Sequence, residues 1–181
     1  MKRLIKATGR GKRTDVPTDL QIVIAQEMPM TRLLLIAILL FTASCGDKLL
    51  YTETVVIDEL GWHKDKPVEF DVVISDTLTA VNVGMTFTHS NDYPYANIWL
   101  FMEITSDYGL SVVDTLDFFL AEPDGRWLGR KRGGEYVVSA LYKHAVTMSR
   151  PGNYKFSITQ GMRSDILPEI REFEFWISES E

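Results

Sequence analysis

Cys45 is the residue best placed for covalent chemistry, and it is the only cysteine among 181 residues. One cysteine makes no internal disulfide, and no C-x-x-C pair is present to hold zinc. What precedes it is ordered. Arg32 leads into the nine-residue apolar run Leu33–Phe41 (LLLIAILLF), followed by Thr42-Ala43-Ser44. A helix needs about 20 residues to cross a bilayer, so this run is too short to span. It has the length of the apolar centre of a secretory signal. Small residues leading into a cysteine are the layout of a lipoprotein signal. There the thiol takes a diacylglycerol as a thioether, and the cysteine becomes the new N-terminus. Thr42 stands where an aliphatic residue is usual. The competing reading makes Cys45 a small buried hydrophobe at the end of a core helix. The register of basic flank, apolar run and sole cysteine favours lipidation. A start at Met30 gives MTRLLLIAILLFTASC, a complete signal over residues 30–44. Residues 1–29 then read as an upstream extension from a misplaced start, and residues 45–181 as the lipid-anchored domain.

Few other residues are spaced for chemistry. The histidines are His63, His89 and His144, and none has a histidine partner at i+2 or i+4. His144 alternates with Tyr142, Val146 and Met148, which predicts a satisfied core histidine. His89-Ser90-Asn91-Asp92 holds triad residue types, but adjacency is not triad geometry, and Asn and Asp suit a turn. No G-x-S-x-G elbow occurs. Asp114 and Asp117, three apart on a strand, point to opposite faces and cannot act as an acid–base pair. Asp58-Glu59 offers too few oxygens for calcium. Gly9-Arg10-Gly11-Lys12 is no phosphate loop, because Lys6 and Arg13 stand where Gly and Ser/Thr are required. The expectation is no enzyme, no metal and no cofactor.

Two constellations point to binding. The first is Gly125–Gly134 (GRWLGRKRGG), which sets Arg126, Trp127, Arg130, Lys131 and Arg132 in a glycine-rich stretch. The whole chain carries a formal charge of −6. Residues 1–44 hold seven basic and three acidic side chains, leaving about −10 on residues 45–181. A basic loop on an acidic body is a candidate docking surface, with Arg and Trp as usual anchors; a hairpin of solvated charges is the plainer alternative. The acidic body excludes nucleic acid, which requires a basic footprint. The second constellation is Trp62, Trp99, Trp127 and Trp176. An exposed coplanar pair would stack on sugar rings, whereas buried tryptophans would indicate a scaffold.

The elements that position these residues have an apolar period of two. Val68, Phe70, Val72 and Ile74 alternate with acidic residues. Val81–Phe87, Tyr142–Met148, Tyr154–Ile158 and Phe173–Ile177 alternate likewise, with Trp176 on the face opposite Phe175. Ile98–Ile104 (IWLFMEI) and Leu116–Ala121 (LDFFLA) are apolar on both faces, which predicts central strands. Turn signals separate the runs, and no long amphipathic helix is visible. The pattern predicts an all-β fold, a single antiparallel sandwich of immunoglobulin or jelly-roll type.

Five segments in order carry a family resemblance: Cys45–Tyr51 (CGDKLLY), Tyr93–Phe101 (YPYANIWLF), Asp114–Gly129 (DTLDFFLAEPDGRWLG), Gly152–Arg163 (GNYKFSITQGMR) and Leu167–Ile170. Through them the chain resembles the gliding-motility lipoprotein GldH family of the Bacteroidetes. It departs at Gly161, where the family has Ala in Gln-Ala-Met-Arg, and in the more basic Arg130-Lys131-Arg132. The resemblance implies an acylated envelope lipoprotein, expected in the outer membrane. It implies protein partners in the gliding machinery that also serves type IX secretion, and no enzymatic activity or cofactor. The alternative is a glycan- or protein-binding module on the same anchor.

Overall fold

A computed structural model describes residues 48–180. The upstream extension, the signal segment and Cys45 lie outside the described residues. Within them every regular element is a strand. In chain order these are β1 (Leu49–Val56), β2 (Trp62–His63), β3 (Val68–Ile74), β4 (Val81–His89), β5 (Asn97–Ser106) and β6 (Ser111–Phe119). There follow β7 (Arg130–Arg132), β8 (Glu135–Val146), β9 (Gly152–Gln160), β10 (Ile166–Leu167) and β11 (Ile170–Glu179).

The strands form a five-stranded sheet in the order β1-β11-β4-β8-β7 and a four-stranded sheet in the order β3-β9-β5-β6. All pairings are antiparallel. The chain doubles back on itself: β5 pairs with β6, β4 with β8, β3 with β9 and β1 with β11. This long hairpin is then rolled up, so that β11 also meets β4 and β9 also meets β5. Eight strands so connected make a jelly roll. The short β2–β10 ladder joins His63 and Trp62 to Ile166 and Leu167.

Period-two patterning explains the core, because alternate side chains of each strand face the opposing sheet. Phe70, Phe87, Phe156, Phe173 and Phe175 are fully buried, together with Met85, Ile98, Leu100 and Met102. Phe175 packs on Phe70 of the other sheet at 5.3 Å between ring centroids and on Phe156 at 4.6 Å. Each such side chain contributes about 1.5–3 kcal/mol of burial. Trp62 is buried against Phe173 and donates its indole N–H to the Lys66 carbonyl.

Two expectations are corrected and a third is met. Leu116–Ala121 is not a central strand: β6 ends at Phe119 and lies on the sheet edge, with Phe119 67% exposed. β5, which holds Ile98–Ile104, is central in its sheet as predicted, with Trp99 and Phe101 facing outward, 42% and 48% exposed. No third layer covers this sheet among the described residues, so apolar composition on both faces does not amount to burial. His144 is no core histidine; it is exposed. The β8 register against β4 breaks between Val81 and Gly84, and Ala145 takes φ 49°. Extra residues on β8 bulge the strand and turn His144 outward. There its Nδ1 meets Asn82 Oδ1 at 2.8 Å, and that oxygen also accepts from the Ala145 N–H.

Candidate docking surface

The basic stretch begins where β6 ends. A tight turn over Glu122–Arg126 closes with Glu122 N–H donating to the Arg126 carbonyl and Gly125 N–H to the Glu122 carbonyl. Asp124 accepts from the Arg126 N–H at 3.0 Å, as an acidic residue does at the start of a turn. This sends the chain back along itself: Trp127 bridges to Ala121, and Leu128 N–H donates to the Leu120 carbonyl. Gly129 follows with φ 74°, and a Cβ there would collide with the Val137 carbonyl. Only glycine lets β7 come in beside β8 at this point.

β7 and β8 then form a hairpin, with Arg130 opposite Val137, Lys131 opposite Tyr136 and Arg132 opposite Glu135. Its two-residue turn is Gly133-Gly134, at φ 60° and 98°. Positive φ at both central positions is the turn whose twist matches a two-residue hairpin. β7 is the edge strand of the five-stranded sheet, and its three residues are exposed.

Strand alternation divides the five candidate residues. Arg130 and Arg132 line the outer face of the sheet, where Arg132 lies 3.5 Å from a Glu172 carboxylate oxygen. Lys131 projects to the other side, with its ammonium 5.4 Å from the Tyr136 ring centroid. Arg126 sits apart on the turn, 3.8 Å from Glu122. Trp127 is half-buried. It meets His89 edge-on at 4.6 Å and lies 6.1–6.2 Å from Tyr136 and Tyr93.

That aromatic cluster holds the one fully buried histidine of the described residues. His89 has no exposed surface and stacks on Tyr136 at 5.7 Å with ring planes 17° apart. Its Nδ1 is 2.8 Å from the Ser90 carbonyl, which makes Nδ1 the protonated nitrogen, while Nε2 has no hydrogen-bond partner among the described residues. Burial holds its pKa below the ordinary histidine value, so the ring is neutral at pH 7. The following turn is held by Ser90 rather than by Asn91 or Asp92. Ser90 Oγ donates to Glu169 and accepts from the Asp92 N–H. The sequence pattern around His89 gave no sign of this cluster, because Tyr93, Trp127 and Tyr136 are distant in sequence.

The carboxylates flagged on β6 part company. Asp114 turns inward to accept from the Tyr142 hydroxyl at 2.9 Å across the sandwich, and this hydrogen bond holds its carboxyl below the usual carboxylate range. Asp117 turns outward to the Asn97 amide. The four tryptophans form no exposed pair: Trp62 is buried, Trp127 and Trp176 are half-buried, and Trp99 is exposed. Among the described residues no cluster of His, Cys, Asp and Glu has the form of a metal site.

The described domain is an antiparallel jelly-roll sandwich with an exposed basic edge hairpin and a closed aromatic cluster behind it. The family model described as GldH lipoprotein matches residues 49–175. The chain is 36% identical over 128 residues to the "Gliding motility lipoprotein GldH homolog" of Christiangramia forsetii, covering 71% of this chain and 77% of that one. It is 34% identical over 143 residues to the "Gliding motility lipoprotein GldH" of Flavobacterium johnsoniae, covering 78% of this chain and 87% of that one. The chain belongs to the GldH lipoprotein family. Likenesses to solved structures are low. A family GH115 4-O-methyl-alpha-glucuronidase aligns over 76% of this chain and 18% of its own at 11% identity and TM-score 0.37. The VP2 subviral particle of infectious bursal disease virus aligns over 72% of this chain and 32% of its own at 10% identity and TM-score 0.32. Neither carries weight here.

Proposed function

We propose that the chain is a non-enzymatic lipoprotein of the outer membrane. It is held there by a diacylglycerol thioether on Cys45 and assembles or stabilises a gliding-motility complex linked to type IX secretion. Membership of the GldH lipoprotein family supports the envelope and motility reading. The domain boundary belongs to the same proposal: residues 30–44 are the signal, and residues 45–181 the anchored domain. A diacyl anchor holds a protein stably, where a single chain holds it only marginally.

The observation that carries the docking role is the β7 edge strand. Three exposed cations, Arg130, Lys131 and Arg132, project from a domain of about −10 charge. Such a patch steers an acidic protein surface and fixes its orientation, contributing more to encounter and register than to raw affinity. The test is capture of the tagged full chain from its own envelope with partners retained. Reversal of Arg130, Lys131 and Arg132 to Glu is expected to reduce partner retention about tenfold while leaving the melting temperature nearly unchanged, since exposed charges contribute little to folding. Cys45→Ser is expected to leave the domain in the soluble fraction or as unprocessed precursor. Full partner retention by the charge-reversed chain would reduce the hairpin to a solvated edge, and detergent partitioning of Cys45→Ser like that of the wild type would refute the anchor.

A further inference from the structure

The outer face of the five-stranded sheet carries side chains in register across its strands. One row runs Thr54, Glu174, Thr86, Ser139 from β1 through β11 and β4 to β8. The next row, toward the hairpin, runs Glu172, Thr88, Val137, Arg130. Together with Arg132 these rows line an open groove of about 800 Å³. Arg132 pairs with Glu172 at 3.5 Å, and the other groups in it are joined by single hydrogen bonds. Thr54 donates to Glu174 at 3.3 Å, Thr88 to Glu172 at 3.2 Å, and Thr86 to Ser139 at 3.3 Å. A carboxylate has about four lone-pair sites and a hydroxyl both donates and accepts, so much capacity is left unused.

On the side away from the hairpin, the neighbouring row holds Thr52, Trp176, Gly84 and Leu141. Gly84 is where the indole rests. A Cβ on Gly84 would run into the six-membered ring at Cζ2, with Cε2 and Cη2 equidistant at 2.6 Å. Both flanking atoms lie barely farther off than Cζ2 itself, which is the geometry of an atom above the ring face; an approach in the ring plane would set both well farther away. The Trp176 ring therefore lies flat on the strand, with one face against Gly84 and the other turned away from the sheet. Glycine at this position of β4 costs strand stability. In return it leaves a half-buried aromatic plane beside the groove, one row beyond Glu174 and Thr86.

We propose that this face binds a neutral saccharide chain, with Trp176 as the stacking platform and Glu172, Glu174, Thr86 and Ser139 reading its hydroxyls. A pyranose has one largely apolar C–H face, which suits the negative face of an indole. Its vicinal hydroxyls donate and accept together, as the two rows do. Hydrogen bonds to hydroxyls alone contribute little net, because they replace bonds to water. The platform supplies the apolar burial that the rows lack. Two carboxylates in the floor oppose an acidic peptide or a polyphosphate, and two arginines oppose a cationic one. The outer face of the other sheet also has polar side chains in register, with Thr159 and Thr115 flanking Phe101, Ser157 beside Glu103 and Asp117 opposite Trp99; the rows beside Trp176 are the ones that line the groove of about 800 Å³, so the assignment falls on Trp176.

The test is calorimetric titration of the full chain, in micelles of a detergent without a sugar headgroup, with cellohexaose, mannohexaose, chitohexaose and hexagalacturonate. Binding of at least one neutral hexaose is expected. Trp176→Ala should weaken it about tenfold or more, a step of about 1.4 kcal/mol. Glu174→Gln should also weaken it, Trp176→Phe should retain most of it, and Trp99→Ala should leave it unchanged. The conservative Trp176→Phe and Glu174→Gln keep the test valid if the alanine variant folds poorly. Failure of every neutral hexaose, preference for hexagalacturonate, indifference to both Trp176 substitutions, or loss on Trp99→Ala would each overturn the proposal. Partner capture separates this inference from the docking role. Trp176→Ala is expected to retain the protein partners that charge reversal of the hairpin releases.

Discussion

His89 shows how one buried group couples the fold to pH. Its neutral ring stacks on Tyr136 and meets Trp127 edge-on. Burial depresses its pKa. The unfolded chain takes up this proton near pH 6.5. The folded chain resists it until lower pH. Between those points the unfolded state binds more protons, so stability from this residue is complete above about pH 6.5 and falls as the solution is acidified. Thermal melts at pH 7.5 and 5.5 should show a larger loss for the wild type than for His89→Gln; equal losses would mean that His89 does not govern this window. Trp127→Ala strips the same cluster and should cost about 3 kcal/mol by urea titration, in keeping with large-to-small aromatic substitutions. Little of this was legible in the sequence. His144 looked apolar-flanked and proved exposed, because bulges on β8 shift its face. His89 looked like a turn residue and proved buried, because its neighbours come from β8 and from the loop after β6.

At the scale of elements, the β7–β8 hairpin stands on its turn. Gly133 and Gly134 both adopt positive φ, with open space around each. A side chain there meets no clash but must take a backbone conformation that is costly for a β-branched residue. Gly134→Val should therefore release β7 from β8, read as faster amide exchange at Arg130 and Val137, a hydrogen-bonded pair of the hairpin, with the core strands unchanged. Gly133→Asn should be tolerated, since Asn accepts that conformation. The strands that alternate cleanly, β3, β4, β9 and β11, were all legible, because each has one face in the core. β1 was not. It lies on a sheet edge, six of its eight residues are exposed, and its pattern LLYTETVV shows no steady period. The short β2, β7 and β10 were equally silent, being set by partners rather than by their own composition. The basic loop was visible as composition. Its division into Arg130 and Arg132 on one face and Lys131 on the other was not, because nothing in the stretch announces a strand.

At the scale of the whole molecule, a rolled hairpin of eight strands buries one face of each sheet and leaves both outer faces and both edges of each sheet to do other work. The polar rows of one outer face and the apolar stripe of the other give the domain two unlike sides. The edges raise a separate matter. A strand with unpaired N–H and C=O groups invites another strand to join it, and charged side chains are a common deterrent. A lipid anchor would gather copies on a two-dimensional surface and raise their effective concentration. Under those conditions Arg130-Lys131-Arg132 acts as a guard against self-association, and the sign of its charge is immaterial. Replacing all three by Thr should promote oligomers on vesicles bearing the full chain, measured by crosslinking, while replacing all three by Glu should not. The same triplet would then serve two masters: a partner that reads its sign, and a crowd of identical neighbours that it holds apart whichever sign it bears.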